Sequence, residues 1–548
     1  MQHQNASQLC PTRFSLALGL FSPLSPPLHR STTHSCPNSA AMDLDEWVTN
    51  SSECFHINLL RPGSDERIFP DSFNPSFTYS VIDEQEAIAG YKNPTIELDF
   101  RANDLRPKLA IAFDEKLELK GISPDLHQVD LSPELFRAHL PDPTADDVTD
   151  ATAADWTPPG QRVYTFSLLG KQYEIWHASM TDDAARRIWN NMRILVLLFI
   201  EGATTEGLDD DETLDRWSLY LLYDVTPVPD VATTPYTLAG FSTSYRSWIF
   251  PTFNIMRHTK MLPSPPPESA NGAAKYTPPR LTQDPETFRF TDELNRLETP
   301  SRERISQFLI LPPYQGQSLG TQLYNFIFGE LIKKPFIYEI PVEDPSEDFD
   351  AMRDYSDIVY LRKLPGFQSL SLASNLAPEL LRKDAPVPRN QILGNGVDLE
   401  ELRHEAKIVT RQFYRMVELH LLSTIPPNHR NRARITRKAK SSNENDRKYY
   451  FWRLALKNRI YLQNADALDQ MDVTEKVDKL EMAVDNQQEE YEERLEGIAK
   501  RAKWTKGEGS SNGARSKRKR AVIEDEEDDW EDMEDETVAS SKSKKSRA

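Results

Sequence analysis

Three carboxylates and one turn hold the chemistry this sequence could do. In "FLILPPYQGQSLGTQLYNFIFGE" an apolar run stops at Pro312 and Pro313, passes through small polar residues, and resumes with Leu323, Phe326, Ile327 and Leu331 at helical spacing. Prolines end a β-ladder because they have no N–H to donate. The segment therefore reads as a strand, Ser306–Leu311, a turn, and a helix starting near Leu319–Thr321. Amides in a first helical turn lack intrahelical acceptors and lie at the positive end of the dipole. Gly316 and Gly320 have no side chains to hold an anion off, so the turn suits a pyrophosphate. It is not a P-loop, since no Lys follows the glycine; on spacing alone, a plain strand–turn–helix connection is the simpler reading. The next strand, "FIYEIPV" (Phe336–Val342), runs into "EDPSEDF" and sets Glu343 and Asp344 beside the end of the preceding strand. Asp344, with Pro345 next and Glu347 three residues on, reads as a helix N-cap with a capping-box partner. Glu343 has no such structural reason, and a carboxylate beside an anion-binding turn is a candidate general base. Glu201 closes the apolar run Ile194–Ile200, where it is either a solvated helix end or a third carboxylate held at the unfavourable end of a dipole.

The elements that must position these groups follow from the rest of the chain. Its 548 residues call for two or three domains. Sixty-five Lys+Arg against 85 Asp+Glu give a net charge of −20, but eleven acids sit in Glu524–Glu536 alone. That balance disfavours general DNA binding and permits a basic partner. No apolar stretch is long enough to span a bilayer. The three cysteines (Cys10, Cys36, Cys54) have no metal spacing and point to a reducing compartment.

Residues 1–41 lack acids and are rich in Ser, Pro and His; they read as a mitochondrial-type leader or, preferably, as sequence ahead of a true start at Met42. Residues 42–165 carry strand-like runs, "TIELDF" and "KLAIAF", with the acidic "DEQEAIAGYK" (Asp83–Lys92) on a loop or turn. Residues 166–365 read as mixed α/β. "KQYEIWHA" is followed by a helix starting at Thr181–Asp183 with Ala184, Ile188, Met192 and Leu195 on one face. Strands Arg216–Val225 and Thr237–Phe250 come next, and then a Pro-rich insertion at 260–290. Residues 366–506 are helical, with Leu402, Ala406, Val409, Phe413 and Met416 on one apolar face. The basic stretch Arg430–Arg459, interleaved with Tyr449, Tyr450, Phe451 and Trp452, could bind nucleic acid; a helix with its aromatics turned inward is the preferred reading. Val477, Leu480, Val484, Tyr491, Leu495 and Ile498 approximate a heptad seam, either a short coiled coil or a helix packed on its own domain. In the tail 507–548, "RSKRKR" and "KSKKSR" flank the acidic run, a disordered segment suited to nuclear import.

Taken together these residues resemble the type B histone acetyltransferases of the GNAT acyltransferase superfamily, over most of residues 42–460. "FLILPPYQGQSLGTQLY" resembles that family's acetyl-CoA loop, "EDPSEDFDAMRD" its catalytic-base segment, and "FIEGAT" with "DRWSLYLLYD" its substrate-side elements. The resemblance implies an α/β (α+β) fold: a GNAT core between an N-terminal β-rich domain and a C-terminal helical domain. Phe308, Leu309 and Ile310 would offer backbone groups to pantetheine. Gln315, Gly316, Gln317, Ser318, Leu319, Gly320 and Thr321 would wrap the pyrophosphate, with Ser346 approaching from the next helix. Glu343 would be the base, Glu201 and Asp344 supporting carboxylates. Glu84, Glu86, Trp217, Tyr245, Arg246 and Ser247 would meet the histone tail. Ser318 departs from the superfamily pattern, standing where its first glycine belongs, and serine resists positive φ.

The implied reaction is direct acetyl transfer from acetyl-CoA to a lysine in the N-terminal tail of newly made histone four, without a metal or an acyl-enzyme. The implied partner is a β-propeller histone chaperone, with no membrane or direct nucleic-acid contact, in nucleus and cytoplasm. Acetylation of other amines and a non-catalytic histone-binding scaffold are the competing readings.

Overall fold

In the computed structural model the described residues are 45–119, 127–142, 151–205, 208, 211–227, 233–249, 284–287, 289, 291, 295, 297–382 and 384–505. The expected leader with Cys10 and Cys36, the start at Met42, nearly all of the insertion at 260–290 and the tail at 507–548 lie outside them.

Seven short strands come first: β1 (Val48–Asn50), β2 (Phe55–Leu60), β3 (Ala87–Ala89), β4 (Tyr91–Lys92), β5 (Thr95–Arg101), β6 (Pro107–Ala112) and β7 (Glu115–Lys116). β5 alternates strictly, burying Ile96, Leu98 and Phe100, and lies between a parallel β2 and an antiparallel β6. The acidic segment expected as a loop divides, Glu84 and Gln85 forming a turn and the rest supplying β3 and β4.

A six-stranded sheet then forms from β8 (Gln161–Leu168), β9 (Lys171–Ser179), β10 (Trp217–Asp224), β11 (Thr237–Trp248), β12 (Ser301–Ile310) and β13 (Ile337–Glu339), in spatial order β13-β12-β11-β10-β9-β8. The boundary expected at 165 falls inside β8. All neighbours are antiparallel except β12 and β13, which are parallel. β12 is five residues longer at its start than its apolar run suggests. Buried Glu303 sits there against Arg246 (2.7 Å) and Ser244 (2.7 Å), so charged residues continue the strand because they are paired.

Helix α1 (Asp183–Phe199) connects β9 to β10 in sequence, capped by Asp182, whose carboxylate accepts from the Ala184 N–H at 2.8 Å. It buries Ala185, Ile188, Trp189, Met192 and Leu195, so its inner face starts one residue later than the spacing predicts. Its Leu198 carbonyl, an orphan of the helix end, accepts from the Ser76 (2.9 Å) and Phe77 (3.0 Å) amides of the N-terminal part. Between β12 and β13 runs α2 (Leu319–Leu331), and after β13 comes α3 (Glu347–Leu361). The Tyr324 hydroxyl of α2 lies 2.7 Å from Asp357 of α3; burial pushes that phenol well above its ordinary pKa, so it stays a donor.

The larger C-terminal helices are α4 (Leu399–Ala406), α5 (Thr410–Thr424), α6 (Glu444–Gln463) and α7 (Val473–Thr505). The single apolar face expected over Leu402–Met416 is broken: Lys407 is left-handed (φ 55°), its carbonyl accepts from Ile340 N–H (2.9 Å), and α5 starts afresh. In α6, Tyr449, Phe451 and Trp452 are buried, and Arg453 and Arg459 are spent on acids of α5 and α7. The aromatic half of the stretch is therefore a packed helix, while its basic first half, Arg432–Lys440, is a kinked 3-10 segment outside α6 with no buried residue. α7 buries Val484, Tyr491 and Ile498 against the chain's own core while Val477 stays exposed, the own-domain alternative to a coiled coil.

Gly240 of β11 stands opposite Ile310, and a Cβ there would lie 2.6 Å from the Leu309 carbonyl oxygen. Backbone cannot yield to it, so Gly240→Ala is expected to cost about 1–3 kcal/mol, measured as a lower thermal midpoint; an unchanged midpoint contradicts this packing. A second expectation concerns pH. Burial holds His404 and His420 down at about 4, and His420 Nδ1 accepts from Arg362 Nε at 3.4 Å, which requires the neutral ring. The unfolded chain takes up these protons near ~6.5 and the folded one does not, so their stability contribution is full above that pH and is lost as pH falls toward 4. Thermal midpoints taken across this window should fall, less steeply in His420→Asn; equal slopes would contradict it.

Candidate functional site

The site starts where β12 and β13 part. Their pairing covers Ser301 and Arg302 against Ile337 and Glu339, then a single bridge, Ile305 to Val342. The last hydrogen bonds are Ile305 N–H to the Pro341 carbonyl and Glu343 N–H to the Ile305 carbonyl, both 2.9 Å. On its other edge β12 continues beside β11, with Leu309 opposite Phe241 and the Leu311 N–H donating to Ala239. Alternation along an antiparallel ladder then points the Leu309 amide at β11, and those of Phe308 and Ile310 toward the side β13 has left. Of the three residues expected to offer backbone groups to a ligand, Phe308 and Ile310 turn their amides to that side, and all three line one cavity.

That cavity, about 1070 Å³, runs from the parted strands over the turn to α3 and the end of α7. Gln315, Gly316, Ser318, Leu319, Gly320 and Thr321 line it; Gln317 does not. Both glutamine side chains brace the turn itself, Gln315 Nε2 on the Ile310 carbonyl (2.8 Å) and Gln317 Nε2 on Pro313 (3.1 Å). Tyr314, buried with its phenol pushed well above the ordinary range, fixes the turn's start against Asp224 (3.3 Å). Gly316 has φ +73° with open space where a Cβ would sit. Ser318, immediately before α2, is left-handed (φ 65°, ψ 12°), the conformation its missing glycine would adopt freely. A Cβ on Gly320 would make only ordinary contacts, 3.6 Å to Ile310 and 3.7 Å to Phe308, so packing alone does not require a glycine there.

The expected cap assignment changes. Ser346, not Asp344, caps α3, accepting from the Phe349 N–H at 3.3 Å. Pro345 therefore lies outside the helix, and Asp344 (φ 28°) stands in the linking turn with its carboxylate free of capping duty. Ser346 still lines the cavity.

A second cavity of about 480 Å³ shares Ile200, Glu201, Ser306, Glu343 and Asp344 with the first. All three expected carboxylates thus stand at the junction. Glu201 is exposed, beyond the end of α1. Glu343 is half-buried and paired with Arg304 at 2.8 Å; Arg304 Nε also donates to Ser306 (3.2 Å), and its guanidinium lies 5.8 Å from the Tyr245 ring centre. Trp217 and Tyr245 (ring centres 4.7 Å apart) form the wall of the smaller cavity. The other expected tail contacts are not brought there. Arg246 points to the opposite face, buried against Glu303 and the Leu297 carbonyl (2.5 Å). Ser247 lines neither cavity. Glu86 (φ 55°) accepts from the Thr78 amide at 2.6 Å, and exposed Glu84 lies in the adjoining turn.

Sequence reasoning missed Ser76, Phe77, Arg304, Arg494 and Arg501 as lining residues. Arg304 was recoverable: extending β12 backwards in steps of two from Phe308 reaches Ser306 and Arg304 on one face. The others come from distant segments with no local signal.

A mixed sheet whose one parallel pair splays over a helix N-terminus is the architecture of GNAT acyltransferases. The comparisons with known proteins agree. A family described as "Histone acetyl transferase HAT1 N-terminus" matches residues 47–201. A histone acetyltransferase type B catalytic subunit from Aspergillus oryzae is 34% identical over 465 residues, 82% of this chain and 85% of the relative. One from Gibberella zeae is 34% identical over 492 residues, 87% and 95%, and one from Candida albicans 26% over 457 residues, 83% and 91%. The chain belongs to the type B histone acetyltransferase catalytic subunits. Acetyl-CoA is the acetyl donor the family implies, and these residues fit it: strand-edge amides turned toward the cavity, an open Gly316, a helix N-terminus, and a volume slightly above the usual range of ligand cavities, about 300–1,000 Å³.

The strain at Ser318 is testable. Ser318→Gly is expected to raise stability by about 0.5 kcal/mol, net of glycine's folding entropy, and Ser318→Val to lower it by about 1–2 kcal/mol. Thermal midpoints in the opposite order would mean that this residue is not left-handed.

Proposed function

We propose that this enzyme acetylates lysine side chains in the N-terminal tail of newly made histone four, with Glu343 as general base. The observation that carries this reading is the position of Glu343: its backbone is pinned by the last rung to Ile305, and its carboxylate stands at the junction of the two cavities. The larger holds acetyl-CoA, which supplies an acetyl group activated as a thioester. Phe308 and Ile310 present amides to the pantetheine arm and the carbonyl to be attacked, the turn Gly316–Thr321 receives the diphosphate, and Ser346 borders it. The smaller cavity takes the lysine along Trp217 and Tyr245.

A lysine of pKa ~10.4 is neutral in only about one molecule in 2,500 at pH 7. Glu343 takes one proton from lysine Nζ, the neutral amine attacks the thioester carbonyl, and as the C–N bond forms the C–S bond breaks, the departing thiolate being protonated by the second proton the nitrogen releases. Glu201 and Asp344 draw the ammonium in by charge. Arg304 occupies the base in the absence of substrate, and the incoming ammonium takes over its place at the carboxylate. A β-propeller histone chaperone as partner, and action in nucleus and cytoplasm, belong to the same proposal. So does the division of the chain into three parts near the expected bounds 42–165, 166–365 and 366–506, with the first boundary moved ahead of β8.

Glu343→Gln keeps the shape and removes the base. It is expected to lower turnover on a histone-four tail peptide by about 10²–10⁴-fold with acetyl-CoA affinity unchanged, read by mass spectrometry of the peptide and by calorimetry. Near-normal turnover would remove Glu343 from the mechanism, and faster acetylation of polyamines or protein N-termini than of the peptide would move the substrate class.

A further inference from the structure

The wall of the large cavity opposite the turn belongs to α7, and its composition is unlike the rest. Six acids line the cavity: Glu201, Glu343, Asp344, Asp348, Asp354 and Glu493. Among the described lining residues the cations are Arg494 and Arg501, both on α7. The turn Gln315–Thr321 offers amides but no charged side chain. A nucleotide coenzyme brings several phosphate charges, and a site this acidic must balance them somewhere.

Two observations set this wall of α7 apart from simple fold cement. Arg494 stands 3.6 Å from Asp354 and 3.8 Å from Glu490, beyond hydrogen-bonding distance, because Arg415 already holds Asp354 at 2.9 Å; its Nε is buried without a hydrogen-bond partner. Its ion pairs are thus long ones, and a cavity-lining guanidinium held so loosely is suited to an oxyanion. The second observation is Gly497. It lines the cavity between the two arginines on the same helical row (494, 497, 498, 501). Glycine weakens a helix interior, and a Cβ here would meet nothing within 4 Å, so packing does not require it. What it leaves is a notch in the helix surface, flanked by guanidinium groups. Arg501 is steadied over the Tyr355 ring of α3, 4.7 Å from its centre.

We infer that α7 is a third wall of the coenzyme site, with Arg494 and Arg501 on either side of the Gly497 notch gripping the phosphates of the nucleotide end. This rests on the coenzyme reading of the cavity given above. It makes a helix some 180 residues downstream of the turn part of the binding site, so occupancy of the cavity and docking of α7 support each other.

The test is calorimetric titration of the full chain with CoA and with 3′-dephospho-CoA. Arg501→Gln, at an exposed position, should weaken CoA about tenfold and lower the thermal midpoint only by what the residue's own surface contacts contribute. Gly497→Leu should raise or preserve the midpoint and still weaken CoA about tenfold, by filling the notch; a purely structural role for this residue predicts no loss. If the Arg501 effect vanishes with 3′-dephospho-CoA, the arginine grips the 3′-phosphate; if it persists, the diphosphate; both outcomes support the proposal. Wild-type affinity in both variants overturns it. Failure of the wild-type chain itself to bind CoA overturns the coenzyme reading, and this inference with it.

Discussion

The hydrogen bond from the Glu343 amide to the Ile305 carbonyl, 2.9 Å long, is the last rung between two parallel strands, and everything at the site is arranged around its being the last. One residue earlier, β12 is an ordinary interior strand. Beyond it, β13 turns away toward α3, and the edge of β12 is left with amides at Phe308 and Ile310 that must find partners elsewhere. The same rung fixes the backbone of the candidate base. The place where a ligand can pair with the sheet and the place where a carboxylate can take a proton are set by one interaction, which is why the cavities meet there.

Keeping the strands apart has a cost that is distributed over the surroundings. Pro312 and Pro313 stop β12, Gln315 folds back onto Ile310, and Tyr314 is held by buried Asp224. Gly240 lets β11 come close enough to support β12 from the other side. Ser318 adopts a left-handed backbone that costs about 1–2 kcal/mol in an L-residue. Strain of this kind persists where the surrounding structure over-determines it, and it gathers at ligand sites. On the C-terminal side, Arg403 reaches Glu339 of β13 at 2.7 Å and Lys407 the Lys334 carbonyl at 2.7 Å, so the helices hold β13 at the angle the gap requires.

What the sequence made legible was local. The strand–turn–helix around Pro312–Thr321, the first residue of α2, the N-cap of α1 and the carboxylates Glu201, Glu343 and Asp344 all follow from patterns that span a few residues, and the structure brings those carboxylates to one place. What stayed illegible depended on partners far away in sequence. Arg302–Ile305 does not read as strand because its charges look solvated, yet Glu303 is buried by pairing with Arg246; the same pairing removes Arg246 from the substrate side. The cap of α3 was misread because Asp344-Pro345 and Ser346 offer two registers for one signal, and the chain's exit from the last rung selects the later one. Helix α5 was merged with α4 because a left-handed Lys407 has no sequence signature comparable to glycine. No periodicity could reveal that Ser76, Arg494 and Arg501 face the same cavity.

The most direct measurement is a crystal structure with an analogue in which CoA is joined covalently to the lysine of a histone-tail peptide. The pantetheine arm is expected to pair along the Phe308–Ile310 edge and the diphosphate to sit on the Gly316–Gly320 turn. The lysine nitrogen is expected within about 3 Å of the Glu343 carboxylate, or one water away, with Arg304 displaced. An analogue bound with its lysine nitrogen out of reach of Glu343, and the Glu343–Arg304 pair intact, would contradict it.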